Sequence, residues 1–301
     1  MTGTRQPQLI FSATFSIFLS TVSVALRFVS RKWVVGKISM DDWLMLVSLV
    51  AVVASSLFAL LLCQVGVGLH LADIKGLDIA WAEHNVRMLL GFQITYNFAV
   101  YFAKLSILSF FTMFIPRGTF TRTVTVWTIW AVSLMLPIKL IVFALQCVPF
   151  AKAWNPALPG TCVNTEVFLY FVTGYHILTD IIIFVLPIKI LASINRKTRD
   201  KLLLLALFGV SFFAVVIGCV RVYAMNLSFI SSDFTWDEAP ILVWSMLEGA
   251  VGIFCGSVPA MKPLFSRGQL SQTMTANLEL STAFYELKRR PSSATTLATH
   301  V

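Results

Sequence analysis

The stretch 44–65, LMLVSLVAVVASSLFALLLCQV, runs for 22 residues without one charged side chain. A bilayer's hydrocarbon core is about 30 Å thick, and about 20 apolar residues in a helix cross it. No water reaches that depth, so such a segment must satisfy its own backbone hydrogen bonds, which makes it a helix. Six more stretches share this character: 9–29, 88–115, 124–146, 168–191, 202–225 and 241–262. The connections between them are too short for a second folded unit. The chain therefore reads as an all-α, polytopic membrane protein with seven transmembrane helices in one domain at 9–265. A short segment, 1–8, precedes it, and a Ser/Thr-rich tail, 266–301, follows and is expected to be disordered.

Composition agrees. The chain is 57% hydrophobic and 12% charged, against about 25% charged residues in an average soluble domain. A net charge of +9 first brings nucleic acid to mind, but its placement decides against that partner. Arg31, Lys32, Lys37, Arg117, Arg122, Arg196, Lys197, Arg199, Lys201, Lys262, Arg267, Lys288, Arg289 and Arg290 fall on one side of the spans. Arg5, Lys75, Arg87 and Lys152 fall on the other. Short loops rich in Lys and Arg stay cytoplasmic, which predicts the N-terminus outside and the C-terminus inside. The first span has no small-residue cleavage site after it and is expected to be retained. Seven spans without an internal repeat argue against a paired-repeat transporter.

The outer connections hold Asp73, Asp78, Glu83, Glu166, Asp233, Asp237 and Glu238. They read as a solvated face, with a site for a cationic ligand as the alternative. Cys63, Cys219 and Cys255 lie in spans, where a free thiol acts as a small apolar group. Cys147 and Cys162 flank the second outer connection, on the oxidising side, and are expected to form a disulfide capping the fourth and fifth helices. Two free thiols sharing a loop are the alternative. The four histidines are scattered and no Cys-x-x-Cys pair is present, so neither a metal nor another cofactor is expected.

Ionisable side chains inside a span are costly and face the bundle interior. On the first helix Ser12, Ser16, Ser20, Ser23 and Arg27 fall within an arc of about 80°, as helix-packing contacts or as a polar cavity wall. On the third, Gln93, Asn97, Tyr101 and Lys104 share a face. Lys104 lies roughly 15 Å from the inner end, too deep for easy snorkelling, so it needs a partner. Thr173, His176 and Asp180 align on the fifth helix, and Trp244 and Glu248 on the seventh. Lys139 and Arg221 lie toward the outer halves of the fourth and sixth. Lys104 can pair with Asp180 and Arg221 with Glu248. Such pairs either fix helix positions or line a ligand pocket. The candidate network or cavity thus comprises Gln93, Asn97, Lys104, Lys139, His176, Asp180, Arg221, Trp244 and Glu248, with no catalytic residue assigned. A retinal Schiff base needs a lysine in mid-helix, usually the seventh, which has none before Lys262, so no chromophore is expected.

Several of these residues recur in one order. Arg27 and Arg31 end the first helix, and Asp41-Asp42-Trp43 opens the second. Gly66, Gly68 and His70 follow, then Tyr101 and Lys104-Leu105-Ser106-Ile107-Leu108, then Cys147, Pro149, Trp154 and Cys162. Asp180, Leu186-Pro187, Arg221, Asp233, Thr235, Trp236, Trp244, Glu248, Pro259 and Pro263-Leu264-Phe265 complete the series. Over 25–265 the chain resembles the fungal rhodopsin-domain family of integral membrane proteins. The resemblance implies a rhodopsin-like bundle in shape. The family includes receptor-like proteins linked to pathogenicity and members encoded in secondary-metabolite clusters. His176 stands where the family usually has Asn; it reads as a neutral, hydrogen-bonded imidazole, with pH sensitivity beside Asp180 as the alternative.

The resemblance implies a protein that is receptor-like or accessory to a secondary-metabolite pathway, and the missing seventh-helix lysine makes it non-photoactive in expectation. Besides the lipid bilayer, its implied partners are a small-molecule ligand and a cytoplasmic signalling protein. A membrane enzyme using Asp180 or Glu248 as proton donor is the alternative, followed by a transporter; the balance leans away from an enzyme. The spans place the chain in a membrane without choosing between the plasma membrane and an endomembrane.

Overall fold

The computed structural model describes residues 3–74, 77–155, 157–192, 198–231 and 233–265. Among them are seven helices long and apolar enough to cross a membrane. In chain order they are α1 (Gln6–Val29), α2 (Met40–Val65), α3 (Ile79–Phe114), α4 (Phe120–Ala144), α5 (Thr165–Ala192), α6 (Thr198–Ile230) and α7 (Phe234–Phe265). A π-helical segment, Ser30–Val35, continues α1 and ends at Gly36, whose φ of 71° suits glycine. The expected disordered tail lies outside the described residues, as does the basic stretch 193–197.

Every expected span is present, but α3 and α7 begin earlier than apolar runs indicate. The 36 residues of α3 make a rod of about 54 Å, longer than the apolar slab. Its first turns are polar helix, started by Asp78, whose carboxylate accepts the Trp81 N–H at 2.7 Å.

α3 and α7 are the most buried helices and α4 the least. α2 packs along α3, α1 and α6 along α7, and α5 along α6. Phe11, Phe18, Trp127 and Trp130 lie exposed on the periphery, which suits lipid as solvent. Ser12, Ser16, Ser20, Ser23 and Arg27 are all buried. The approach of α7 to its neighbours depends on Gly256. A Cβ there would sit 2.5 Å from Met45 Cε and 2.8 Å from Ile107 Cγ1. Small residues let helices come close where lipid supplies no hydrophobic drive between them.

Between α4 and α5 two short strands, β1 (Cys147–Val148) and β2 (Thr161–Cys162), pair antiparallel with Cys147 opposite Cys162. The expected disulfide is formed there. It closes a loop with a sequence separation of 15, worth about 3 kcal/mol in chain entropy. Replacing both cysteines by serine is expected to lower the thermal midpoint of the oxidised protein to that of reduced wild type. Equal midpoints for the variant and oxidised wild type would contradict this.

Candidate functional site

Both interior pairs anticipated from charge are formed. Lys104 Nζ lies 3.0 Å from Asp180 Oδ2 and donates to the His176 carbonyl at 2.9 Å and to Thr179 Oγ1 at 2.8 Å. Three acceptors match the three donors of an ammonium group. Arg221 Nε lies 3.2 Å from Glu248 Oε2, which also accepts the Tyr96 hydroxyl at 2.8 Å. The Arg221 guanidinium sits over the Tyr96 ring, 5.2 Å from its centre. Arg221 Nη2 and Glu248 Oε1 are buried without a hydrogen-bond partner.

Lys139 is held differently. Its Nζ donates to Asn97 Oδ1 at 2.5 Å and lies 5.6 Å from the centre of the Phe143 ring. The Asn97 amide nitrogen donates to the Gln93 carbonyl one turn earlier on α3, which turns the amide oxygen toward Lys139. His176 departs from expectation. It is buried, but among the described residues neither ring nitrogen has a hydrogen-bond partner. Lys104 engages Asp180 and the His176 backbone, and the ring instead packs edge-on against Tyr101 at 5.0 Å. Trp244 packs beside Ile217, Val251 and Cys255.

Two cavities adjoin this network. One, of about 60 Å³, is lined by Lys104, Asp180 and Glu248 among Val100, Ala103, Ile107 and Ile183. The other, of about 100 Å³, lies toward the end of the bundle that carries the N-terminus. Gln93, Asn97, Lys139, Arg221 and Glu238 line it, together with Phe92, Phe143 and Phe229. Seven of the nine candidate residues thus border one cavity or the other, and His176 and Trp244 border neither.

At the opposite end of the bundle is an ionic cluster that sequence reasoning missed. Arg27 Nη2 lies 2.5 Å from Asp41 Oδ2, and its Nε lies 2.7 Å from Asp42 Oδ1. Its Nη1 donates to the Gly256 carbonyl at 2.6 Å. Arg31 adds contacts of 2.9 Å to Asp41 and 3.4 Å to Asp42. Ser106 of α3 donates to the Asp41 carbonyl at 2.6 Å, so the cluster joins α1, α2, α3 and α7. Arg31, counted above among the basic residues of that side, is buried and paired. The available signal was two arginines at i and i+4 near an Asp-Asp pair opening the next helix.

The acids of the N-terminal end do not form the solvated face expected of them throughout. Asp233 Oδ2 lies 2.7 Å from His70 Nδ1, and its Oδ1 accepts the Leu71 N–H at 2.9 Å. Desolvation works to raise the Asp233 carboxyl, but hydrogen bonds from His70, Leu71 and Thr235 outweigh it and hold its pKa below the ordinary value. Arg5 reaches Asp237 at 3.1 Å and lies 4.3 Å over the Trp236 ring, on which His70 also stacks at 3.9 Å. The N-terminal segment, the α2–α3 connection and the start of α7 are thereby clamped together.

Comparison with known proteins places this architecture. The model of the fungal rhodopsin domain matches residues 26–267. A "Polyenoic acids biosynthesis gene cluster protein" of Metarhizium anisopliae is 24% identical over 86% of this chain and 73% of its own length. "Fugralins biosynthesis cluster protein 2" of Gibberella zeae is 23% identical over 65% of this chain and 50% of its own length. "Receptor GIN3" of Arthrobotrys oligospora is 24% identical over 83% of this chain and 61% of its own length. The chain thus spans between half and three quarters of the length of these relatives. No solved structure matches it.

Proposed function

Because this chain belongs to the fungal rhodopsin domain family, we propose that it is a receptor-like, non-photoactive membrane protein serving a secondary-metabolite pathway, with its N-terminal end facing out. The observation that carries this is the continuity of the polar interior. Arg221 borders the N-terminal cavity and pairs with Glu248 of α7. Eight residues further along α7, about 12 Å by helix rise, the Gly256 carbonyl holds Arg27. A ligand that draws Arg221 away from Glu248 would shift α7, and the Arg27 cluster at the far end would register that shift.

The proposed orientation is supported by the disulfide at the N-terminal end and the excess of basic residues at the other. A non-photoactive role is supported by the absence of lysine from 234–261 of α7 and by the size of the cavity beside Lys139. At about 100 Å³ it is well below the roughly 300 Å³ and upward of pockets that enclose drug-sized molecules. The link to secondary metabolism draws on the names of the cluster-encoded relatives, and the receptor role on that of the third.

Deleting the gene is expected to change the secondary-metabolite profile of the strain. Glu248→Gln, which keeps the side-chain shape and an acceptor oxygen but removes the charge facing Arg221, is expected not to restore that profile when expressed to matched membrane abundance. An unchanged profile on deletion, or full rescue by Glu248→Gln at equal abundance, would overturn the reading.

A further inference from the structure

We infer that the N-terminal cavity is a binding site for the carboxylate of a small amphipathic acid, held between Lys139 of α4 and Arg221 of α6. This rests on the receptor reading and names the chemical class of its ligand. Two basic side chains from different helices line one cavity, and each is about 5% exposed or less. Their donors are only partly used. Lys139 has three N–H donors, and the acceptor it meets is the neutral Asn97 oxygen. Among the described residues Arg221 Nη2 has no hydrogen-bond partner. Among the described residues Glu238, the acid that also lines the cavity, has no ion pair with either basic group.

A buried donor without an acceptor is costly; Arg221 faces Glu248 through Nε, so what it leaves open is Nη2, whereas Lys139 meets only a neutral acceptor. A carboxylate has two oxygens and about four acceptor positions, enough to serve both Lys139 and Arg221 through charge-assisted bonds. An ammonium ligand offers no acceptor, and a hydroxyl, with two acceptor lone pairs, would meet both groups without supplying a negative charge. The remaining wall is apolar: Phe92, Phe143, Leu169, Phe229 and Leu242 suit a hydrocarbon portion. The volume of about 100 Å³ exceeds the 10–15 Å³ that one water needs, so a carboxylate with a few carbons fits. A longer tail leaves past Phe229, which is 40% exposed at the rim.

The test uses the full chain in phosphatidylcholine nanodiscs, titrated with octanoate, octylamine and octanol, which share a tail and differ in head group. Octanoate is expected to raise the thermal midpoint with dose, and the other two not to. Butyrate, which partitions little into lipid, separates the two sources: a shift with butyrate marks a soluble acid, and a shift with octanoate alone marks one delivered from the bilayer. Lys139→Met is expected to weaken octanoate binding by about tenfold or more, and Lys139→Arg to retain it. The head-group comparison on wild-type protein stands even where a variant folds poorly. Stabilisation by octylamine instead of octanoate would overturn the carboxylate assignment and leave the receptor reading standing. Equal stabilisation by octanoate and octanol, or none by any probe, would also overturn the assignment. The receptor reading falls only on the deletion and Glu248→Gln result.

Discussion

Arg27→Met is expected to remove most of the folded protein from the membrane fraction. Arg27 is fully buried and makes three short contacts, to Asp41 at 2.5 Å, Asp42 at 2.7 Å and the Gly256 carbonyl at 2.6 Å. Without it two buried carboxylates share the single cation Arg31, whose Asp42 contact is 3.4 Å. Asp41 Oδ1 already lacks a hydrogen-bond partner, so nothing in place absorbs the loss. Removing one partner of a buried ion pair costs about 3–5 kcal/mol, a large part of the roughly 5–15 kcal/mol by which a protein is stable. Arg31→Met should cost less, about 1–3 kcal/mol, because its side chain is 10% exposed and leaves both aspartates on Arg27. Adding Asp42→Asn to Arg27→Met restores one cation to one anion, and part of the stability should return. The checks are the monodisperse yield and thermal midpoint of the four proteins. Wild-type behaviour in Arg27→Met, or greater damage from Arg31→Met, would refute this account.

That cluster also marks where sequence reading stops. The seven helices were legible because lipid imposes a length and forbids charge, and a stretch such as 44–65 satisfies both. The Lys104–Asp180 and Arg221–Glu248 pairs were legible because a charge in mid-span must find its opposite, and few acids lie within reach. Arg27, Arg31, Asp41 and Asp42 sit at helix ends, where the same residues can equally snorkel or meet water. Nothing local says that Gly256, far along the chain, brings α7 close enough to seal them in. Lys139 was located without its partner for another reason. Matching charges finds acids, whereas Lys139 is held by the amide of Asn97, whose orientation depends on the Gln93 carbonyl. Asp233 and Asp237 read as solvated because a connection between helices usually is. Here the backbone joins across it: the Arg5 N–H donates to the Gly68 carbonyl at 2.8 Å and the Gly68 N–H to the Thr235 carbonyl at 2.9 Å. That places Arg5 and His70 against both acids.

Lys104→Met is expected to destabilise the bundle by about 3–5 kcal/mol, and a second change at Asp180 to recover most of it. Of the three acceptors around the ammonium, two have other uses. The His176 carbonyl also accepts the Thr179 hydroxyl at 2.8 Å, so both those groups keep a bond when Lys104 is lost. Asp180 is the group left stranded, a carboxylate in an apolar wall formed by Val100, Ile107 and Ile183. The cost of Lys104→Met is therefore mainly the cost of Asp180. In the double variant Lys104→Met with Asp180→Leu that charge is gone and apolar surface fills the space. Buried pairs replaced by well-packed apolar groups are often neutral or stabilising. A coupling energy of about 2 kcal/mol or more between the two positions is expected from the double-mutant cycle, read in thermal midpoints and unfolding free energies. Additive losses would mean that each residue is held by other contacts and that the 3.0 Å pair is incidental. Full recovery of stability carries a further consequence. A pair that adds nothing net to folding is not explained by stability, and its position at the cavity wall then points to function. The same double variant, stable but unable to restore the deletion strain, would assign Lys104 and Asp180 to the switch rather than to the scaffold.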